Sequence, residues 1–321
     1  MREKAGKWML VLLALGILLL LLILLILFPR RGHQRPALLE VTVITREEGK
    51  GPGANLRQGM EQAAADLNVE LRFLLPAAPG DGESQRQLLR REVESGAQAI
   101  LLLPADRVAL GEEVSNAAAR AALVTLETDM TGKGAGGFVG VDNTALGQAA
   151  ARAALNGVRE GETVLLLDSA PGDNGVRERL LAAEALLREQ GRVTRRCGPD
   201  TDTALTILLE TELAEGGIKG VVVFEASALE EASACFSFLE TPPLLYGMGS
   251  TTGVIAGLER GTITAAVAQN DFSAGYLAVE QAAALARGRP VKDRGELTFF
   301  TVRKENLYEP EYQKLLFPMT R

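Results

Sequence analysis

The stretch Ala265–Tyr276, AAVAQNDFSAGY, decides how the rest of the chain is read. Its apolar start suits a strand buried on both faces. An amphipathic helical pattern begins near Phe272. Between the two stand Gln269, Asn270 and Asp271, three polar side chains where a strand leaves its core. In open parallel sheets, ligands bind outside the carboxyl ends of the strands, so a polar strand exit is a place to look for function.

The same grammar recurs along the body. Apolar runs predict strands at 38–45, 69–75, 97–103, 121–127, 162–168, 220–225, 243–248 and 264–269. Helical spacing predicts helices over Asn55–Leu67, Ser84–Ser95, Thr144–Val158 and Val176–Gln190. Continuous apolar runs alternating with helices imply crossovers and doubly wound parallel sheets. About four strand-helix units precede Asp142 and about as many follow it, which suits two α/β lobes of ordinary domain size. Most strands exit into polar or acidic residues: Arg46-Glu47-Glu48, Pro104-Ala105-Asp106, Glu127-Thr128-Asp129, Asp168-Ser169, Glu225-Ala226-Ser227, Gly249-Ser250 and Gln269-Asn270-Asp271. Helix capping accounts for many of the Asp, Ser and Asn residues. It does not account for Glu127 or Gln269, which are poor caps.

Composition removes several function classes. Net charge is −7; the first 35 residues hold six Lys/Arg against Glu3 alone, a net +5 that leaves −12 for the rest. An acidic body repels phosphates, so no nucleic acid partner is expected. The one histidine, His33, lies in the basic stretch outside the body, which excludes a Ser-His-Asp triad or a His-ligated zinc there. Two cysteines, Cys197 and Cys235, make no metal framework and are read as separate thiols. Gly49-Lys50-Gly51-Pro52-Gly53-Ala54 loosely fits a dinucleotide fingerprint. The second strand ends without the acid that would hold a ribose, and Pro52 lacks an N–H for pyrophosphate. No catalytic group, cofactor or metal is expected.

Trp8–Phe28 is 21 residues without a charge. As a helix it spans roughly 30 Å, the thickness of a bilayer core. It is read as an uncleaved single-pass anchor, with a cleaved signal peptide as the alternative. Residues 1–7 then form a short cytoplasmic end, and 29–37 a basic linker to an extracytoplasmic body. Three Lys/Arg on each side leave the orientation open by charge.

Five segments in order, AILLLPAD, VTLETD, GVDNTALGQAA, RERLLAAEALL and LERGTITAAVAQNDFSAGYLAVEQAAALARGRPV, resemble the type I periplasmic sugar-binding proteins, the solute receptors of ABC transporters. The resemblance covers most of 39–304. It implies two lobes joined by three crossing segments and closing on a small ligand. The N-terminal lobe is expected at 38–142 plus 270–292, the C-terminal lobe at 143–269 plus 293–304, and a tail at 305–321. Hinge residues fall on Asp142, Asn143 and Asn270, with Asn143 also read as a helix N-cap. The third crossing is expected near Pro290–Lys292, before a final strand around Leu297–Val302.

The resemblance also implies ligand contacts. The family's carboxylate falls on Glu127, its arginine on Arg179 (with Ala182-Ala183 in place of Gly-Phe), its asparagine on Ser227 and its hinge glutamine on Gln269. Arg46 and Lys50 are expected at the mouth. The places where relatives stack aromatic rings on sugars hold Pro52-Gly53 and Thr201, and a second carboxylate is replaced by Gly249 beside Ser250. A charged pocket of Arg46, Lys50, Glu127 and Arg179 suits a sugar, a sugar acid or a sugar phosphate. The expected partner is a membrane permease. The alternative is a sensor role, in which ligand occupancy passes to a histidine kinase or other membrane protein.

Overall fold

The computed structural model describes residues 15–20, 38–46, 53–76, 82–170, 174–198, 204–291 and 294–317. The chain divides into two units, Met1–Ala37 and Leu38–Arg321. In the first, residues 15–20 are helical. The predicted span Trp8–Phe28 and the linker 29–37 lie mostly outside the described residues. Among the described residues, no helix is long and apolar enough to cross a membrane.

The second unit contains two six-stranded sheets. Chain order gives β1 Leu39–Ile44, α1 Ala54–Leu67, β2 Val69–Leu74, α2 Gly82–Glu94, β3 Ala99–Leu102, α3 Gly111–Ala118, β4 Ala122–Leu126 and β5 Gly137–Gly140. Then follow α4 Asn143–Leu155, β6 Thr163–Leu167, α5 Asn174–Glu189, β7 Val193–Cys197, α6 Leu205–Ala214, β8 Ile218–Val223, α7 Ala226–Phe236, β9 Leu244–Met248, α8 Thr252–Arg260 and β10 Ala265–Gln269. The chain ends with α9 Asp271–Ala286, β11 Arg294–Glu296, β12 Phe299–Val302 and α10 Pro310–Leu316.

The sheet orders are β11-β5-β4-β3-β1-β2 and β12-β10-β9-β8-β6-β7, so the two lobes repeat one topology. Each sheet is buried on both faces. In β3, Ala99 and Leu101 join the core under α1 and α9, while Ile100 and Leu102 join the core with Leu89 of α2 and Val114 of α3. In β8, Val221 and Val223 face one core, and Val222 with the following Phe224 faces the other. Two-sided burial is why these strands read as unbroken apolar runs.

Close helix packing sets the position of the site. A Cβ on Gly59 of α1 would stand 1.9 Å from the Phe272 carbonyl oxygen, and one on Gly275 of α9 would stand 2.0 Å from that of Leu56. In the second lobe a Cβ on Gly147 of α4 would stand 2.1 Å from the Arg179 carbonyl oxygen on α5. Only glycine lets these backbones approach so closely.

Several expectations require correction. β5 and β7 were not predicted: β5 is GFVG, too short to register as an apolar run, and β7 is VTRRC, a polar edge strand. Asp142, not Asn143, caps α4, its carboxylate accepting from the N–H groups of Thr144 at 2.7 Å and Ala145 at 3.1 Å. The third crossing is not at Pro290–Lys292. β11 pairs with β5 in the first sheet and β12 pairs antiparallel with β10 in the second, so the chain crosses at Leu297 and Thr298. Leu297 packs against a core in each lobe. The predicted tail is not a separate appendage, because Leu307 and Leu316 are buried in the second lobe's core. There Tyr312 meets Phe300 edge to face at 5.7 Å. Cys197 and Cys235 are both free thiols, and burial pushes Cys197 up to about 12.

Candidate functional site

The strand exits of the two sheets face a cavity of about 300 Å³ lined from both lobes. The first lobe contributes Arg46, Gly53, Leu56, Glu127 and Asp271; the second contributes Arg179, Glu225, Ser227, Glu230, Ser250 and Thr251, with Gln269 at the crossing.

Glu127 is aimed by an unusual backbone. Its φ is 62°, in the left-handed region, and the Thr128 N–H closes a tight turn onto the Leu126 carbonyl at 2.7 Å. That region is costly for a residue with a Cβ, and such strain collects at functional positions. Its carboxylate pairs with Arg46 at 2.8 Å. Burial pushes the Glu127 carboxyl up, but the charges of Arg46 and Arg179 outweigh this and hold it below its ordinary value.

Arg179 is buried. Its Nε donates to Asn143 Oδ1 at 2.7 Å and its Nη1 to the Phe224 carbonyl at 3.1 Å. Asn143 in turn donates to Glu178 Oε2 at 3.2 Å, and Glu178 pairs with Arg107 of the first lobe, bridging the lobes. Arg107, Asn143 and Glu178 border a second cavity of about 390 Å³ beside the crossings, with Asp129, Asp142, Phe138 and Phe299 in its wall.

Asp271 opens α9. Gln269 Nε2 donates to it at 2.9 Å, and Ser250 donates to its other oxygen. Burial raises the Asp271 carboxyl above its ordinary range; the two hydrogen bonds and Arg179 oppose this, while the charge of Glu127 reinforces it. Asn270 caps α9, accepting from the Ser273 N–H at 2.8 Å. Ser227 is exposed and donates to Glu225 at 2.6 Å, and Thr251 donates to Glu230.

Of the predicted contact residues, Arg46, Glu127, Arg179, Ser227 and Gln269 line one cavity. Lys50, Pro52 and Thr201 lie outside the described residues. Asp142, Asn143 and Asn270 sit where the chain passes between sheets.

Residues 48–290 match the family described as periplasmic binding protein domain. The chain belongs to that family. A curated relative, the ribose import binding protein RbsB of Bacillus subtilis (strain 168), is 22% identical over 241 residues, covering 74% of this chain and 78% of that protein. Among solved structures, a carbohydrate transporter solute binding protein from Agrobacterium radiobacter, in complex with D-arabinose, superposes with a TM-score of 0.79 at 22% identity, covering 88% of this chain and 99% of the other. An ABC transporter solute binding protein from Agrobacterium vitis with bound D-fucose gives 0.78 at 20% identity, covering 87% and 100%. At these identities the likeness is one of fold.

Within that fold the cavity is charged, as expected, but the described wall carries more acids than the sequence reading assigned to it. Arg46 is neutralised by Glu127, and Arg179 is held by protein acceptors. Four carboxylates, those of Glu127, Glu225, Glu230 and Asp271, share the wall with two guanidiniums. The sequence reading missed Asp271, Glu225 and Glu230 as site residues. Asp271 was within reach, since it stands two residues after Gln269 at the strand exit. Glu230 was not, because it lies in the second turn of α7, away from any strand end. No aromatic side chain lines this cavity among the described residues, so polar side chains and the aliphatic walls of Leu56, Leu146, Met248 and Val267 would have to hold a ligand.

Proposed function

We propose that the chain is an extracytoplasmic solute-binding protein that captures a sugar or sugar derivative between its lobes for ABC-type uptake. The observation that carries this reading is the cavity whose polar wall is split between two lobes joined by three crossings. Contacts from both walls exist only when the lobes are together, so a solute with differential affinity for that arrangement favours closure. The volume suits one monosaccharide and sits at the small end of ligand cavities. Hydroxyl-rich ligands match a wall of carboxylates, which accept, and guanidinium, amide and hydroxyl groups, which donate. The sugar-bound relatives support the substrate class, and the import protein among the curated relatives supports a permease as partner.

The body is proposed to lie outside the cytoplasm, tethered by Trp8–Phe28. Protease added to intact cells should remove the body while leaving a cytoplasmic marker whole; a protected body would refute this placement.

The solute reading is tested by a thermal-shift screen against pentoses, hexoses, sugar acids, sugar phosphates, amino sugars, polyols and amino acids. A ligand at 100 times its dissociation constant stabilises by about 2.7 kcal/mol. Absence of a shift with every sugar class would end the reading.

A further inference from the structure

The matching topology of the two lobes isolates one carboxylate. The helix that enters each lobe after a crossing begins with a residue in a cavity wall: Asn143 for α4, in the second cavity, and Asp271 for α9, in the first. Each of these helices packs through its fifth residue, Gly147 or Gly275, against the backbone of a partner helix, at Arg179 or at Leu56. Thus Asn143 corresponds to Asp271, and Arg179 to Leu56. In the second lobe a neutral amide meets an arginine at 2.7 Å. In the first lobe the acid stands where its counterpart position offers only a leucine. Asp271 receives two neutral donors, Ser250 and Gln269, and forms no ion pair among the described residues. Each of its oxygens keeps lone-pair capacity for a further donor.

The rest of the wall points the same way. Ser250 donates to Asp271 and the adjacent Thr251 donates to Glu230, so two acids are linked through neighbouring hydroxyls. Glu225 is likewise met by a hydroxyl, that of Ser227, rather than a cation. With all groups ionised, the lining residues among those described carry two more negative than positive charges. Against the described wall an anionic solute would meet more carboxylates than guanidiniums, whereas a cation would balance the excess.

Resting on the solute-binding reading above, we propose that the cleft selects a sugar bearing a protonated amine, with the ammonium group received by Asp271 and the acidic wall of Glu225 and Glu230. A hydrogen bond to a buried charge contributes enough to set a preference of about 10- to 150-fold over the neutral parent.

The test is calorimetric titration of the chain at pH 7 with matched series: D-glucose, D-galactose and D-mannose, their 2-amino-2-deoxy forms, their uronic acids and their 6-phosphates. An amino sugar should bind about 10- to 150-fold tighter than its parent, and the acids and phosphates more weakly than the parent. Added salt should erode the amine's advantage, because screening acts on the charged pair. In Asp271→Asn the ratio of amine to parent affinity should collapse toward one. Glu230→Gln, which leaves α9 untouched, should lower it by a smaller factor and serves if Asp271→Asn does not fold. A neutral or acidic sugar binding as tightly as its amine, or a ratio unchanged in both variants, overturns the inference while leaving solute binding intact. No binding in any arm, the neutral sugars included, overturns the solute reading and this inference with it.

Discussion

The two lobes share strand order yet divide the chemistry of the cleft unequally. At the exit of the fourth strand in the sequence of each sheet, the first lobe places Glu127 with φ 62° and the second places Gly249 with φ 141°. The chain takes a positive φ in both, but only the first lobe bears a side chain there, at a cost in strain. At the helix contacts the first lobe presses two glycines, Gly59 and Gly275, onto opposing carbonyls, while the second has Gly147 against Arg179 and an alanine, Ala182, three residues beyond. The first lobe therefore has the tighter seam and the strained carboxylate; the second has the buried arginine. Duplicated architecture fixes where side chains can meet a ligand, and the residue chosen at each matched position fixes what they can do.

The sharpest way to break this comparison is at the glycine seam. Gly275→Ala should destabilise the body by about 3 kcal/mol, the upper part of the overpacking range, because the obstacle is backbone. Ala182→Gly should cost only about 0.5–1 kcal/mol, the helix penalty of glycine. Urea denaturation of both variants decides it, and equal losses would mean that the seams do not differ. Gly147→Ala should lose ligand affinity as well as stability, since the displaced backbone is that of Arg179.

Next in size is Arg179→Ala, with a loss of about 1.5–3 kcal/mol in binding, or roughly 10- to 150-fold. Titration of a variant that binds as tightly as the parent protein would remove Arg179 from the site. The strain at the first lobe's exit is measured by comparing Glu127→Gly with Glu127→Ala. Both lose the Arg46 pair, but the glycine variant should be the more stable by about 1–2 kcal/mol.

The smallest effect concerns Asp271. Its carboxyl is raised in the folded protein, chiefly by burial. The native state therefore takes up a proton at higher pH than the unfolded chain does. That favourable contribution is complete below the ordinary aspartate value, near 3.9, and is lost as pH rises through the raised native value. Asp271→Asn should accordingly stabilise the unliganded body at neutral pH, with the gain fading as pH falls toward 4. Melting curves from pH 4 to 8 test the sign; a gain that grows on acidification would contradict it.

Much of the fold was legible because two-sided burial writes itself as continuous apolar runs, as in Ala99–Leu102 and Val221–Val223. Where a strand is short or lies at an edge, that pressure weakens. Gly137–Gly140 and the arginine-bearing Val193–Cys197 escaped notice for this reason. The third crossing was misplaced because Arg294–Glu296 is polar, and its place in the first sheet rests on backbone pairing with β5. At the site, Glu127 and Gln269 stood out as polar residues poorly suited to capping. Asp142 was harder to separate from Asn143, since either is a good cap and only geometry shows which one accepts from Thr144 and Ala145.

The sequence by itself determined the alternation of strands and helices, the division into two lobes and most of the polar strand exits, because burial and capping are local demands repeated along the chain. Only the tertiary structure decided the sign of the cleft. Arg46 and Arg179 read as cations on the page, yet one meets Glu127 and the other meets Asn143 and the Phe224 carbonyl, while Asp271 meets no arginine among the described residues. Electrostatic character depends on distances between groups far apart in the chain, and folding sets those distances.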